Sequence, residues 1–539
     1  MKLIELKFDN KLLTVLLLLN VCTATVSAYK ILIYNPQVWY SHVQYWSSIA
    51  DTLSEAGHDV TVFVPRFFDS INATGIKQSK TIIRQRSFDL PYDENHLSMQ
   101  AIRGQSHDPV AMISILQFLH LSQASLCNGT DSMNISDEIA DQDLLNDLAA
   151  ENFDLGMTDV YSTCGFALFH KIGLKTYITG FSSSLVEFVT IPFGIDNNPS
   201  YVPGALTALS DEMSYFERVQ NVFTMLIERL LSLFFLPVEK YYAKLIPGFD
   251  LRTAVSKSAF VFVNTDEYIE FPRPINHKII FVGGIAVAKP KPLPPIFYDV
   301  VTNADGDVVL VSFGSIVNGK DAVDNILNAF IGLFSSFRGV TFIWKYEDDN
   351  IGYRNLTNVV RRRWIPQNDL LNHPKVKALI SHCGMNSLLE SANAGKPLIC
   401  IPLFSEEGRN ARIVEKRGIG RTINKLHLNS KLLIEALNAV LYDPRYRNAA
   451  ERLSSIIKSK PIPVTDRVIK HTEFAAKFSL INNLQPSCTQ LNYFQYYLLD
   501  IIIPGIILLA LLMCCFGIAM VRLARHVTYS IGYNKKKID

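Results

Sequence analysis

Between Arg363 and Asn410 the chain gathers side chains whose types and spacing suit a nucleotide. Trp364 stands in a polar loop, RWIPQNDLL. A flat aromatic face there can stack on a nucleobase, an interaction worth about 1–3 kcal/mol. An apolar run at 376–381 ends in His382-Cys383-Gly384-Met385-Asn386-Ser387, and the helix-forming LLESANAGKP follows. A second apolar run, 397–402, leads into Phe404-Ser405-Glu406-Glu407-Gly408-Arg409-Asn410. Strand, glycine turn, helix and strand make a βαβ unit, whose turn lies beyond the strand's carboxyl end, where such sheets bind ligands. The free amides and positive dipole end of the new helix suit a phosphate. Ser387 and Glu390 have two readings. Glu390 can accept from ligand hydroxyls, or the pair can close a capping box that needs no ligand.

Trp364, Pro366, Gln367, His382, Gly384, Asn386, Ser387, Glu390, Gly395, Pro397, Pro402 and Asn410 together resemble the signature of the UDP-glycosyltransferases. The branch they resemble is the membrane-bound animal UDP-glucuronosyltransferases. The resemblance implies that Trp364 and Gln367 hold uracil and ribose, and that Glu390 accepts from ribose hydroxyls. It places His382, Ser387 and the turn amides of Gly384 and Asn386 against the diphosphate. A strand at 308–312 followed by Phe313-Gly314-Ser315 is similar to the family's Ser-x-Gly-Ser turn, which adds Ser312, Gly314 and Ser315 to the donor site.

The sequence departs from the family at the sugar. Relatives end the signature with an Asp-Gln pair that grips the donor sugar's hydroxyls, and here the pair is Glu406-Glu407. Glu406 keeps the carboxylate. Glu407 replaces an amide that can donate with a group that, when ionised, only accepts. A second negative charge is unwelcome to glucuronate, so glucuronate and glucose both stay open as the donor sugar. Cys383 stands where animal members commonly have glycine.

Glycosyl transfer to a hydroxyl also needs a base. A strand at Lys30–Tyr34 and the loop NPQVWY lead to a predicted helix at 42–56, with Trp46, Ile49, Ala50 and Leu53 at helical spacing. Ser41-x-x-Gln44 reads as its capping box, Gly57 as its stop, and 59–64 as the next strand. This βα unit lacks the dinucleotide glycine fingerprint. His42, on the first turn, has a suitable side chain, and the positive helix end keeps its imidazole neutral and able to take a proton. The bland alternative is an exposed polar residue. Its position matches the family's catalytic histidine. The run FDLGMTD is similar to the family's strand whose final aspartate, here Asp159, holds that histidine, with Cys164 also in register. Asp154 is a strand-entry residue, and for Asp159 a solvated loop position is the alternative.

The wider chain sets the bounds. Its 539 residues exceed one ordinary core, and a net charge of +2 gives no nucleic-acid-sized basic surface. The eight cysteines lack metal spacing, so no metal site is expected and their pairing is left open. Residues 1–28 read as a secretory signal. Asn72, Asn128, Asn134 and Asn355 are N-glycosylation sequons. The apolar stretch 222–236, interrupted by Glu228 and Arg229, reads equally as buried or as lying in a bilayer interface. Asp466-Arg467 begins a helix that in relatives crosses back to the first domain. The 21 apolar residues 501–521 cover about one bilayer core. Basic residues follow it, placing the tail in the cytoplasm, and Lys536-Lys537-Ile538-Asp539 resembles a dilysine retrieval signal of the endoplasmic reticulum.

The expected architecture is α/β of GT-B type, two Rossmann-like domains facing a cleft plus one C-terminal transmembrane helix. The divisions are signal 1–28, acceptor-binding domain 29–287, linker 288–303, UDP-sugar-binding domain 304–495, transmembrane helix 496–521 and cytoplasmic tail 522–539. The resemblance implies an inverting transfer from a UDP-sugar, a co-substrate rather than a cofactor, to a hydroxyl of a small lipophilic acceptor in the lumen of the endoplasmic reticulum. His42 and Asp159 are the expected catalytic residues; a homo-oligomer stays open. A rival class is a catalytically silent homologue that carries lipophiles. Glu407 argues for it, and His42, Asp159, Trp364 and His382 argue against it.

Overall fold

A computed structural model describes residues 28–37, 39–66, 76–85, 141–232, 246–315, 317, 319, 324–347, 351–353, 355–403, 406–479 and 481–535. Most of the expected signal segment, the sequons at Asn72, Asn128 and Asn134, and the tail after 535 lie outside the described residues. The chain divides into two compact units, Met1–Leu484 and Gln485–Asp539.

The first sheet is built from β1 (Lys30–Tyr34), β2 (Asp59–Arg66), β3 (Lys80–Gln85), β4 (Leu155–Asp159), β5 (Tyr177–Phe181), β6 (Val261–Val263) and β7 (Ile279–Phe281). Their order is β3-β2-β1-β4-β5-β6-β7, and every pairing is parallel. Such strands are apolar on both faces because helices cover both. Ile31 and Ile33 pack with Trp46, Ile49 and Leu53 of α1 (Tyr40–Glu55). Leu32 and Tyr34 point the other way, to Phe166 and Phe169 of α2 (Thr163–Lys171).

Helix α1 starts two residues before the predicted position. Its N-cap is the extended Trp39, without a side-chain cap. Ser41 and Gln44 therefore fall inside the helix and the expected capping box does not form, while His42 remains in the first turn. The apolar stretch is described as far as the end of helix α3 (Tyr215–Ser232), which faces both ways. Asn221, Met225 and Glu228 are buried, whereas Phe216, Phe223, Leu226 and Ile227 are exposed.

The second sheet comprises β8 (Val308–Ser312), β9 (Thr341–Lys345), β10 (Ile351–Tyr353), β11 (Leu356–Arg362), β12 (Val376–Ser381), β13 (Leu398–Cys400) and β14 (Gly420–Thr422). It runs β10-β11-β9-β8-β12-β13-β14, with only β10 antiparallel among these pairings. Val309 and Val311 meet Phe330 and Leu333 of α4 (Asp324–Ser336). Val308 and Leu310 meet Leu388 and Leu389 of α5 (Met385–Ala394). These are two Rossmann-like domains.

Two helices tie the sheets together. From α6 (Glu407–Lys416), Arg409 is fully buried and its Nη2 lies 2.7 Å from Glu270 Oε1, while Arg412 Nε donates to Ala208 O at 2.8 Å. Just past the helix, Arg417 Nε donates to Ile269 O at 2.8 Å. Burial works to raise the pKa of Glu270, and Arg409 more than offsets it, so the carboxyl stays below its ordinary value. Helix α7 (Val464–Phe478) then returns to the first sheet, as the resemblance implies. Val468 and Ala475 join its core, and Arg467 Nη2 meets Glu267 Oε1 at 2.6 Å.

In the second unit, α8 (Leu499–Lys535) carries a candidate span, Leu499–Tyr529, in which 18 consecutive residues average a hydropathy of 2.8. It is long and apolar enough to cross a membrane, and the expected span 501–521 lies within it.

Arg409→Met removes the stronger of the two guanidinium charges, Arg409 and Arg273, that offset the burial of Glu270, which costs about 3–5 kcal/mol. Thermal unfolding followed by intrinsic fluorescence should show a clear fall in Tm. An unchanged Tm would mean that the pair does not hold the domains.

Candidate active site

Each sheet reverses its strand order once, and ligands of open α/β sheets bind outside the carboxyl ends at that reversal. In the first sheet the reversal lies between β1 and β4. His42 follows β1 and Asp159 ends β4, so the two flank that crevice. In the second sheet it lies between β8 and β12. Gly314 and Ser315 follow β8, His382 follows β12, and these flank the second crevice.

Asp159 is 2% exposed and held from three sides. Trp46 Nε1 donates to its Oδ2 at 3.1 Å, Ser182 Oγ donates to the same oxygen, and Tyr161 N donates to Oδ1 at 3.0 Å. His42 Nδ1 lies 3.9 Å from Asp159 Oδ2, with the ring 21% exposed. Trp39 and Tyr161 pack against that imidazole, their ring centroids 5.0 and 5.9 Å away. Burial lowers the pKa of His42, and Asp159 and then Glu406 recover part of the shift. The result is a neutral imidazole with a carboxylate behind it.

At the second crevice His382 is packed between glycines. A Cβ on Gly314, whose φ is 76°, would lie 2.7 Å from His382 Cε1, and one on Gly384 would lie 2.5 Å from Nε2. Larger residues at either place would drive the ring out. Burial, reinforced by Lys345, pushes the His382 pKa down to about 4, the Ser312 main chain opposing. Helix α5 begins at Met385 behind Gly384 and has no side-chain cap. Ser387 and Glu390 therefore sit within the helix, and the capping box they could have closed is absent. Instead Gln367 Nε2 donates to Glu390 Oε2 at 2.6 Å and to Ser387 Oγ at 3.2 Å. Burial raises the Glu390 pKa to about 7, with Gln367 opposing and Asp369 adding. Trp364 is 54% exposed and meets Tyr40 of the first domain edge-on at 5.1 Å.

The sequence profile of the UDP-glucoronosyl and UDP-glucosyl transferases matches residues 30–537. The chain belongs to this family. UDP-glucuronosyltransferase 1A6 of Homo sapiens is 31% identical to it over 492 residues, 88% of either chain. The 2-hydroxyacylsphingosine 1-beta-galactosyltransferase of Homo sapiens is 30% identical over 492 residues, 88% of this chain and 85% of that one. Phytolacca americana UGT2, solved with UDP-2fluoro-glucose and pterostilbene, shares the fold at a TM-score of 0.53 and 16% identity. It covers 84% of this chain and 100% of its own. The architecture is GT-B, and the protein is a UDP-sugar glycosyltransferase.

In this glycosyltransferase most of the predicted residues gather at the two crevices. His42 and Asp159 pair on the first domain, and Ser312, Gly314, Ser315, His382, Gly384 and Ser387 line the second crevice, with Trp364, Gln367 and Glu390 beside it. Asn386 bridges the two. Its Oδ1 accepts from Asn264 at 2.8 Å and its Nδ2 reaches Ser41 O at 3.4 Å, next to His42. Glu406 and Glu407 act in different directions. Glu406 raises the proton affinity of His42, whereas Glu407 Oε2 accepts from Leu403 N at 2.7 Å and its Oε1 lies 4.0 Å from His382 Nε2. Cys383 is disulfide-bonded to Cys400, a pairing that sequence reasoning left open. Sequence reasoning also missed Ser182, Trp46 and Tyr161 around Asp159. Only Trp46 carried a signal, since a buried indole needs a partner for its N–H.

Binding of a UDP-hexose should tighten as pH rises through about 7, where Glu390 ionises and becomes a pure acceptor for hydroxyls. Titration calorimetry between pH 6 and 8 measures this, and Glu390→Gln should flatten the profile. A slope that survives in Glu390→Gln would assign the proton elsewhere.

Proposed function

We propose that this protein transfers a hexose from a UDP-sugar to a hydroxyl of a small lipophilic acceptor, with inversion at the anomeric carbon. The observation that carries the reading is the neutral His42 backed by the buried, triply held Asp159 at the first sheet's crevice. The acceptor hydroxyl gives its proton to His42 Nε2 as its oxygen forms the new bond to the anomeric carbon. The bond from that carbon to the diphosphate breaks on the opposite side, and UDP leaves with the electron pair. As the imidazole becomes cationic, the Asp159 carboxylate stabilises it and keeps its orientation. The leaving charge is met by the uncapped amides of α5, Ser387 and the neutral His382.

The disulfides at Cys164 and Cys383–Cys400 support an oxidising compartment. With 501–521 of α8 as a single span and Arg522, Arg525 and Lys535 to Lys537 after it, the reading is a luminal body in the endoplasmic reticulum with a cytoplasmic tail. The apolar outer face of α3 suits a protein held at a membrane, where lipophilic acceptors concentrate.

His42→Ala should lower turnover by about 10²–10⁴ while UDP binding is kept, because the base stands on the acceptor side. UDP release with a phenol panel measures the first and UDP affinity the second. Wild-type turnover in this variant would remove the mechanism. Absence of UDP release in the wild type would leave the silent-homologue reading.

Glu407 bears on the donor sugar. Its carboxylate completes the loop at Leu403 and faces His382, adding negative charge beside the diphosphate crevice. A neutral hexose is then favoured over glucuronate. Glu407→Gln should raise use of UDP-glucuronate relative to UDP-glucose, read as the ratio of kcat/KM values. If that ratio stays put, position 407 only closes its loop.

A further inference from the structure

We propose that Cys383 and Cys400 are positioning residues of the donor site, their disulfide holding the diphosphate-binding turn in its working shape. The proposal rests on the reading of that turn as the diphosphate site. Cys383 sits between His382 and Gly384 with a φ of 64°, a left-handed conformation that costs a residue with a Cβ about 1–2 kcal/mol. Both cysteines are fully buried, and their Cα atoms are 5.4 Å apart.

The constraint is supplied from the neighbouring strand. Cys400 ends β13 and is the register partner of Ser381, the last residue of β12. Its carbonyl accepts from Ile423 N at 2.8 Å, so the anchor point is fixed in the sheet. Around Cys383, its N donates to Ser381 Oγ at 3.3 Å and its carbonyl accepts from Asn410 Nδ2 at 3.1 Å. The disulfide thus joins the turn carrying His382 to the strand that leads to Glu406 and Glu407. Without it, Cys383 relaxes toward negative φ and carries with it the Gly384 backbone, against which His382 is packed without room for a methyl group. Glycine at 383 would hold the same φ with no cross-link, because it lacks the Cβ that makes the left-handed region costly.

That difference separates a positioning role from a merely structural one. Steady-state kinetics on the full-length enzyme in detergent would compare wild type, Cys400→Ser and Cys383→Gly/Cys400→Ser, with UDP-glucose and UDP-glucuronate as donors. Cys400→Ser should raise the donor KM by about five- to thirty-fold, the ratio equivalent to relaxing one left-handed residue. Its kcat and acceptor KM should move less than about twofold by comparison, and adding Cys383→Gly should restore the donor KM. Peptide mapping without reduction should show the two cysteines linked in the wild type. Free thiols at 383 and 400, an unchanged donor KM in Cys400→Ser, or no rescue by Cys383→Gly would each overturn the proposal. So would loss of folded protein in both variants, which would mark a structural staple. If the wild type releases no UDP from either donor, the donor-site reading itself fails and the proposal with it.

Discussion

A parallel sheet that reverses its strand order once offers one crevice at its carboxyl edge, and this protein has two such sheets. On the proposed mechanism neither crevice completes the reaction alone, since the proposed base stands on one and the proposed nucleotide-binding turn on the other. Everything therefore depends on holding two rigid edges in register. Beside the apolar packing of Val468 and Ala475 into the first core and of Ile269 and Phe271 into the second, directional polar contacts do this. Arg409 reaches Glu270 in full burial, Arg412 and Arg417 donate to main-chain carbonyls, and Asn386 spans from Asn264 to the carbonyl of Ser41. Carbonyl and carboxylate partners of fixed direction set a relative position that hydrophobic contact, being non-directional, would leave loose.

Burial does the electrical work at both edges, with opposite chemistry as the outcome. It lowers the pKa of His42 and pushes that of His382 down to about 4, so both rings are neutral at pH 7. The difference lies in what stands behind each. His42 has Asp159 at 3.9 Å and the field of Glu406, which favour the cation once a proton arrives. Around His382, Lys345 opposes a cation, and burial outweighs the Glu407 carboxylate 4.0 Å away. On the proposed mechanism, one imidazole is thus prepared to take a proton and the other remains neutral beside the departing diphosphate. The same burial raises Glu390 to about 7, placing a carboxyl at its switching point against Gln367.

The fold and much of the site were legible because their signals are local. The strands 376–381 and 397–402, the turn between them and the first turn of α1 all follow from neighbours within about ten residues, and the signature residues come in the same short windows. What was illegible depends on distant chain. Asp159 is held by Trp46, 113 positions away, and by Ser182, 23 positions away. The two expected capping boxes failed for a related reason. Ser41-x-x-Gln44 and Ser387-x-x-Glu390 have the right spacing, yet in each case the helix had already begun, at Tyr40 and at Met385. Trp39 packing on His42 fixes the first start, and the Cys383–Gly384 turn fixes the second. Once inside the helix, Glu390 was free to meet Gln367 from another segment, a contact no helix rule contains.

Helix α6 shows how recognition and assembly come to share one element. Its N-terminal end carries Glu406 and Glu407, the pair aligned with the family's sugar-gripping residues, and Asn410 braces the Cys383 carbonyl from the next turn. Along the same helix and just beyond it, Arg409, Arg412 and Arg417 fasten it to the first domain. Any shift of α6 along its axis would therefore move the carboxylates at its start, loosen the brace on the diphosphate turn and strain the bonds to Glu270, Ala208 and Ile269 together. On the proposed donor site, sugar position and domain register are in this way one mechanical variable. This gives a physical reason for the density of signature residues between 382 and 410. They lie on the part of the chain where the smallest displacement disturbs the donor, the turn and the opposing base at the same time.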